Sequence, residues 1–136
     1  MNKADRQAVR DRAGDRCEYC LLRQEHFAAY RHQIEHIVPR KHGGDDSLQN
    51  LALACIRCNL GKGPNLTGID QQTGEVVELF HPRRDDWNEH FTIRDAEIVG
   101  QTPCGRATVG VLNMNEEPRL LLRRELIRNG ELDSME

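Results

Sequence analysis

The sequence predicts an α+β protein: a small core of two short strands and a helix, stabilised by a metal on four cysteines, with a C-terminal α/β extension. Three observations carry that expectation. Cys17-x2-Cys20 and Cys55-x2-Cys58 are paired thiol turns a few tens of residues apart, the sequence form of a four-cysteine zinc site. Between the pairs runs EHIVPRKHGGDDSLQNLALA, an extended segment, a glycine loop and a second apolar strand. With 136 residues and only 4% aromatics the core is small, so a structural metal supplies what burial alone does not.

Taken in order, residues 3–14 read as a short helix, with Ala4, Ala8, Val9 and Ala13 as an interrupted apolar stripe and Gly14 placed for a C-cap. Cys17-Glu-Tyr-Cys20 is a tight knuckle, because both thiolates reach one tetrahedral metal only if the chain reverses between them. Residues 21–29 carry no clear signal. Residues 30–38 alternate as a strand that stops at Pro39, which favours an extended predecessor and cannot donate to a ladder. Residues 40–49 are loop chemistry, with Gly43 and Gly44 allowing positive φ and Asp45 and Asp46 closing turns. Residues 51–55 resume as a second strand, and Cys58-Asn59 opens a brief helix that ends at Gly61-Lys62-Gly63-Pro64.

The boundary falls there: residues 1–64 hold the N-terminal helix, the cysteine site and the strand–strand–helix core, and residues 65–136 form the extension. The extension reads as a turn region to Gly74, a strand over 75–80, and an irregular segment in which Trp87 covers part of a core. Short strands over 91–93 and 97–99 follow, then a strand or helix start over 107–112. Residues 117–129 form an amphipathic helix packed on the core, with Leu120, Leu121, Leu122, Leu126 and Ile127 opposed to Arg119, Arg123, Arg124 and Arg128. Residues 131–136 read as a frayed acidic tail. Cys104, outside the two pairs, reads as a small buried hydrophobe.

The formal net charge of −3 conceals an uneven distribution. Residues 1–64 carry 11 Lys and Arg against 8 Asp and Glu, a balance of +3, while residues 65–136 carry 8 against 14, a balance of −6. The basic half contains the motif, which supports a polyanionic partner modestly. No apolar run approaches the length of a membrane span, so no membrane association is expected. The charged N-terminus lacks the apolar centre of a secretory signal, so a cytoplasmic location is expected, where reductants keep thiols free for metal.

Phosphodiester hydrolysis needs an activated water, neutralisation of phosphoryl charge and help for the leaving oxygen, and one divalent cation with one base covers these needs. His36 is the candidate base, since imidazole titrates near neutrality. Glu35 offers a carboxylate to a hard cation such as Mg2+ or Mn2+, and Asn59 adds an amide oxygen. Successive residues on a strand face opposite ways, so a shared Glu35–His36 site requires the strand to end or twist there. The Asn50 amide is placed to bond backbone in the glycine loop and to hold His36 in orientation. Arg40, His42, Arg57 and Lys62 flank the motif as candidates for substrate phosphate.

These residues resemble the HNH endonuclease family, in the branch with a four-cysteine zinc site. The likeness rests on Cys17-x2-Cys20, EHIVPRKHGG, Asn50-Leu51, Cys55-x2-Cys58-Asn59 and Lys62-Gly63, over residues 15–64. It implies the ββα-metal fold, structural zinc on Cys17, Cys20, Cys55 and Cys58, His36 as general base, Asn50 as its orienting residue and Asn59 as a ligand of the catalytic metal. The family commonly has Asp where this chain has Glu35. The resemblance also implies cleavage of DNA to 3′-hydroxyl and 5′-phosphate ends, and LFHPRRDDWNEHF is similar to an extension found in some compact bacterial members. RNA is not distinguished from DNA by these residues, because metal and base act on phosphate. A homodimer is a natural way for one small site to cut both strands. The alternative is a catalytically silent zinc module that binds nucleic acid or a partner protein; it has no need of Glu35, His36 and Asn59 together.

Overall fold

Helix α1, Lys3–Ala13, opens the chain in a computed structural model that describes residues 1–132. The Asn2 side chain accepts from the Asp5 N–H at 2.8 Å, and Gly14 ends the helix in the left-handed region at φ 63°, as its place in the sequence predicts. Val9 is fully buried, but Ala4 is exposed, so the buried stripe is narrower than four residues. Two arginines fix the helix to its neighbours: Arg12 donates to the Leu48 and Leu51 carbonyls, and Arg10 donates to the His32 carbonyl at 2.9 Å.

The described chain forms two compact units, residues 1–66 with 81–85, and residues 67–80 with 86 onward. In the first, strand β1, Gln33–His36, pairs antiparallel with β2, Leu51–Ala54, in a register that sets His36 opposite Leu51. Helix α2, Ile56–Lys62, follows β2 and packs on both strands. Val9, Leu51 and Leu53 form the buried cluster, with Ala13 and Ile34 packed against it. Every residue of β2 is buried, so this strand reads as an unbroken apolar run.

The second unit contains, among the described residues, two hairpins and three helices. Strands β3, Thr67–Ile69, and β4, Val76–Glu78, pair across a turn that Asp70 organises by accepting from the Gln72 N–H and the Thr73 hydroxyl. Helix α3, Trp87–His90, capped by Asp86, leads into β5, Phe91–Arg94, which pairs with β6, Glu97–Gly100. Helix α4, Pro103–Val111, starts at the Thr102 N-cap with Pro103 in its first turn, so residues 107–112 are mostly helix interior rather than strand. Cys104, in that first turn, is only half-buried, less enclosed than the small buried hydrophobe the sequence suggests. A Cβ on Gly105 would overlap the His90 carbonyl, so the close approach of α4 requires glycine there.

Helix α5, Glu117–Arg128, corrects the sequence pattern. Arg119 and Arg123 are buried and Leu121 is half exposed. Arg123 donates to the carbonyls of Ala96 and Met114 and to Asn115 Oδ1, at 2.8 to 2.9 Å. It thereby clamps the β5–β6 turn, where Asp95 and Ala96 both hold positive φ. The tail expected over residues 131–136 lies, from residue 133, outside the described residues.

Candidate active site

Four buried cysteines converge where the knuckle meets the start of α2. The Sγ atoms of Cys17, Cys20, Cys55 and Cys58 all lie within 4.8 Å of one another, and Cys20 Sγ is 3.6 Å from Cys55 Sγ. A tetrahedron with Zn–S bonds of about 2.3 Å has edges of about 3.8 Å, so the spacing and donor type fit a zinc ion. Each knuckle bends its chain in the same way: the Cys20 N–H points to Cys17 Sγ and the Cys58 N–H to Cys55 Sγ, both at 3.4 Å. Burial pushes the Cys17 and Cys58 thiols well above their ordinary range, so only a bound cation keeps all four as thiolates. Glu18 ties the first knuckle to β2, accepting from the Leu53 N–H at 2.7 Å while its own N–H donates to the Leu53 carbonyl at 2.9 Å.

Strand β1 ends at His36, and the chain then leaves as a loop to Asn50. His36 Nε2 lies 2.7 Å from Asp46 Oδ1 in that loop. Arg40 also binds both Asp46 oxygens, at 2.8 and 3.0 Å. The His36 bond, with help from the Arg40 charge, holds the Asp46 carboxyl below the usual carboxylate range. Asn50 has the geometry the sequence suggests: its Oδ1 accepts from the Val38 N–H, and its Nδ2 donates to the carbonyls of Val38 and Asp45. Gly44 passes so close that a Cβ would overlap the Val38 carbonyl. Asn50 and Gly44 together set the loop, and the loop sets Asp46 against His36.

Gln33 and Glu35 find their partners on α2, Asn59 and Lys62, and β1 ends just beyond them at His36. Glu35 is 5% exposed and accepts from the Tyr19 hydroxyl, with Lys62 Nζ 3.2 Å from its other oxygen. Burial raises its carboxyl pKa, opposed by the Lys62 charge and the Tyr19 bond. The sequence places Lys62 at the mouth of the site, but it is 2% exposed. Its ammonium also donates to the Ile37 carbonyl at 2.9 Å, which pins the end of α2 to the end of β1. Buried in this way, it does not present itself to a solvent-borne phosphate. Asn59 donates its amide to Gln33 Oε1. Glu35 and Asn59 are of the donor type a magnesium-class ion takes, but both Glu35 oxygens are engaged, by Tyr19 and Lys62, and Asn59 bonds Gln33, so an ion here would displace some of these contacts.

Of the other expected phosphate ligands, Arg40, His42 and Arg57 are exposed, Arg40 being engaged by Asp46. His32 is buried, with Nε2 against the Leu22 carbonyl at 2.9 Å and its ring edge-on to Phe27. It is a wall of the fold. Sequence reasoning passes over Asp46, Tyr19 and Gln33; the adjacent Asp45-Asp46 pair is the only signal for the first, and the other two give none. Among the described residues no helix is long and apolar enough to cross a membrane.

Residues 17–65 match the family model described as HNH endonuclease. Over 136 aligned residues the chain is 26% identical to the Septu protein PtuB of Bacillus thuringiensis. That alignment covers 95% of this chain and 48% of PtuB, so the chain spans about half the length of this curated relative. No solved structure matches the chain.

Proposed function

We propose, from the place of residues 17–65 in the HNH endonuclease family, that this chain is a metal-dependent nuclease that hydrolyses phosphodiester bonds in DNA. The observation that carries the reading is the bond between His36 Nε2 and Asp46. An ionised carboxylate only accepts, so in the neutral imidazole the proton sits on Nε2 and the lone pair on Nδ1. Nδ1 is then the atom that takes a proton from the attacking water. Asn50 and Gly44 keep the loop in the conformation that holds this tautomer.

Glu35 and Asn59 are the residues that would hold the divalent cation, Mg2+ or Mn2+, with Gln33 beside them. When bound, the cation supplies neutralisation of charge on the phosphoryl oxygens. Zinc on the four cysteines would be structural, since all four ligand positions are filled by protein thiolates. Exposed Arg40, His42 and Arg57 would meet the phosphate backbone.

A second reading, a catalytically silent nucleic-acid-binding module, is favoured by the buried Glu35–Lys62 pair, which uses the carboxylate to hold the fold. The test is cleavage of supercoiled plasmid with magnesium, with manganese or with neither, beside a folded His36→Ala variant. The nuclease reading expects cutting only by the unmutated protein and only with metal, the variant being slower by about 10²- to 10⁴-fold. If neither protein cuts plasmid, single-stranded DNA or RNA, the second reading replaces it.

A further inference from the structure

A cavity of about 420 Å³ opens in the first unit between α1 and the segment that leads into β1, lined among others by Arg6, Arg10, Tyr30, Arg31, His32 and Ile34. Three arginines thus line one space. Arg10 is the innermost: one of its terminal nitrogens donates to the His32 carbonyl, and the other, Nη1, is buried with no hydrogen-bond partner among the described residues. An unpartnered buried donor on a charged group is costly to maintain, and a small shift of the side chain toward an oxyanion in the cavity would remove that cost. Burial and the neighbouring Arg31 charge push the Arg10 pKa down, against a smaller opposing effect of Asp15. Like charges gathered around an open cavity repel one another until an anion enters. Arg6 and Arg31 are exposed at its rim, and Tyr30 stands beside them 59% exposed, a large ring presented to solvent.

We propose that this cavity is a phosphate site for a nucleic-acid strand, with Arg6, Arg10 and Arg31 binding backbone phosphate and Tyr30 offering its face to an adjacent base. Guanidinium is suited to this task because its planar fork matches phosphate oxygens, and base stacking on an aromatic ring tolerates any sequence. The cavity borders the His36 loop: Met1, which lines it, has its ammonium 3.4 Å from Asp46, and Gln33, which lines it too, accepts from Asn59, so a strand bound here would extend the contact made at His36. It rests on the nucleic-acid reading of the chain, and its chemistry is shared by free nucleotides and inorganic phosphate.

The experiment uses the full chain with its cysteine-bound metal in buffer free of magnesium and manganese, and measures binding of a fluorescein-labelled single-stranded oligodeoxynucleotide by anisotropy across a salt series. Arg6→Gln/Arg31→Gln removes two exposed charges and leaves the Arg10 bond to His32 in place. We expect its affinity to fall about five- to twentyfold and its log–log salt slope to become shallower by about one to two, while Arg6→Lys/Arg31→Lys recovers most of the loss. Tyr30→Ala should weaken single-stranded DNA more than duplex. Unchanged affinity and slope in the Gln variant, with melting temperature retained, overturns the site. So does displacement of adenosine monophosphate binding alone, with strand binding unaffected, which would assign the cavity to a free nucleotide. A plasmid assay run in parallel separates this inference from the nuclease reading: cleavage with an unaffected Gln variant sinks only the cavity, and loss of binding without any cleavage sinks only the nuclease.

Discussion

His36 acts, on the reading above, through one free nitrogen, and its orientation is set by a residue ten positions away in an exposed loop. Asp46→Asn tests that dependence. An amide can still accept from Nε2–H, but it can also flip and donate, which favours the wrong tautomer. The variant should therefore cut about 10- to 100-fold more slowly with little change in KM, measured by initial rates on plasmid and on short duplexes. Equal rates would show that Asp46 serves to pair with Arg40 and the N-terminal ammonium rather than to set His36. At this scale the motif is readable where the donor type and spacing fix the outcome, as with the four cysteines, which converge. It is not readable where a side chain's role depends on what lies across the fold. Lys62 is the clearest case: a lysine next to a glycine reads as surface, yet the buried carboxylate of Glu35 and the Ile37 carbonyl hold it inside. Arg119 and Arg123 defeat the helical pattern in the same way, since backbone carbonyls, with Glu116 at Arg119 and Asn115 at Arg123, accept from their guanidinium groups.

The elements of the first unit depend on two local devices, the glycine loop and the cysteine knuckles. Gly44→Ala puts a methyl into the Val38 carbonyl, so the loop must shift as a whole. It should cost about 2 kcal/mol or more by urea denaturation and lower cleavage in parallel, because the same shift moves Asn50 and Asp46. Cys55→Ser removes one thiolate from a buried set of four. Structural zinc supplies about 10 to 16 kcal/mol of apparent folding free energy, comparable with the whole stability of a small domain. Metal analysis and far-ultraviolet circular dichroism should show loss of zinc together with unfolding of the unit that holds it. A variant that kept both its zinc and its melting temperature would contradict the four-cysteine site. Gly14 and Gly63 end α1 and α2 as the sequence suggests, whereas β1, Gln33–His36, is shorter than the segment expected to run up to Pro39. In the second unit the signals are weaker, and the start of α4 lies in Thr102-Pro103, a cap and first-turn pair that apolar periodicity alone does not register.

Across the whole chain, charge is divided between a basic half that carries the motif and an acidic half that carries none of it, and the two halves should respond differently to acid. In the second unit Asp70 is buried between its own turn and Arg106, which binds both carboxylate oxygens at 2.8 and 2.9 Å. Those bonds hold the Asp70 carboxyl far below the ordinary range, with the Gln72 and Thr73 donors adding to the effect. The sign follows from linkage: a carboxyl whose pKa is lower folded than unfolded stabilises the fold above the unfolded value, about 3.9, and that contribution fades as pH falls toward the folded value. Stability of this unit should therefore be flat from neutrality to about pH 5 and decline below about pH 4. Asp70→Asn removes the linkage at its source, so the variant should melt lower at pH 7 and lose less on acidification. Melting curves of both proteins between about pH 7 and about pH 2.5 test this across the window in which the carboxyl titrates, read with a probe on Trp87, which belongs to the same unit. Parallel acid limbs would mean that Asp70 and Arg106 do not set the acid stability of the hairpin they join to α4.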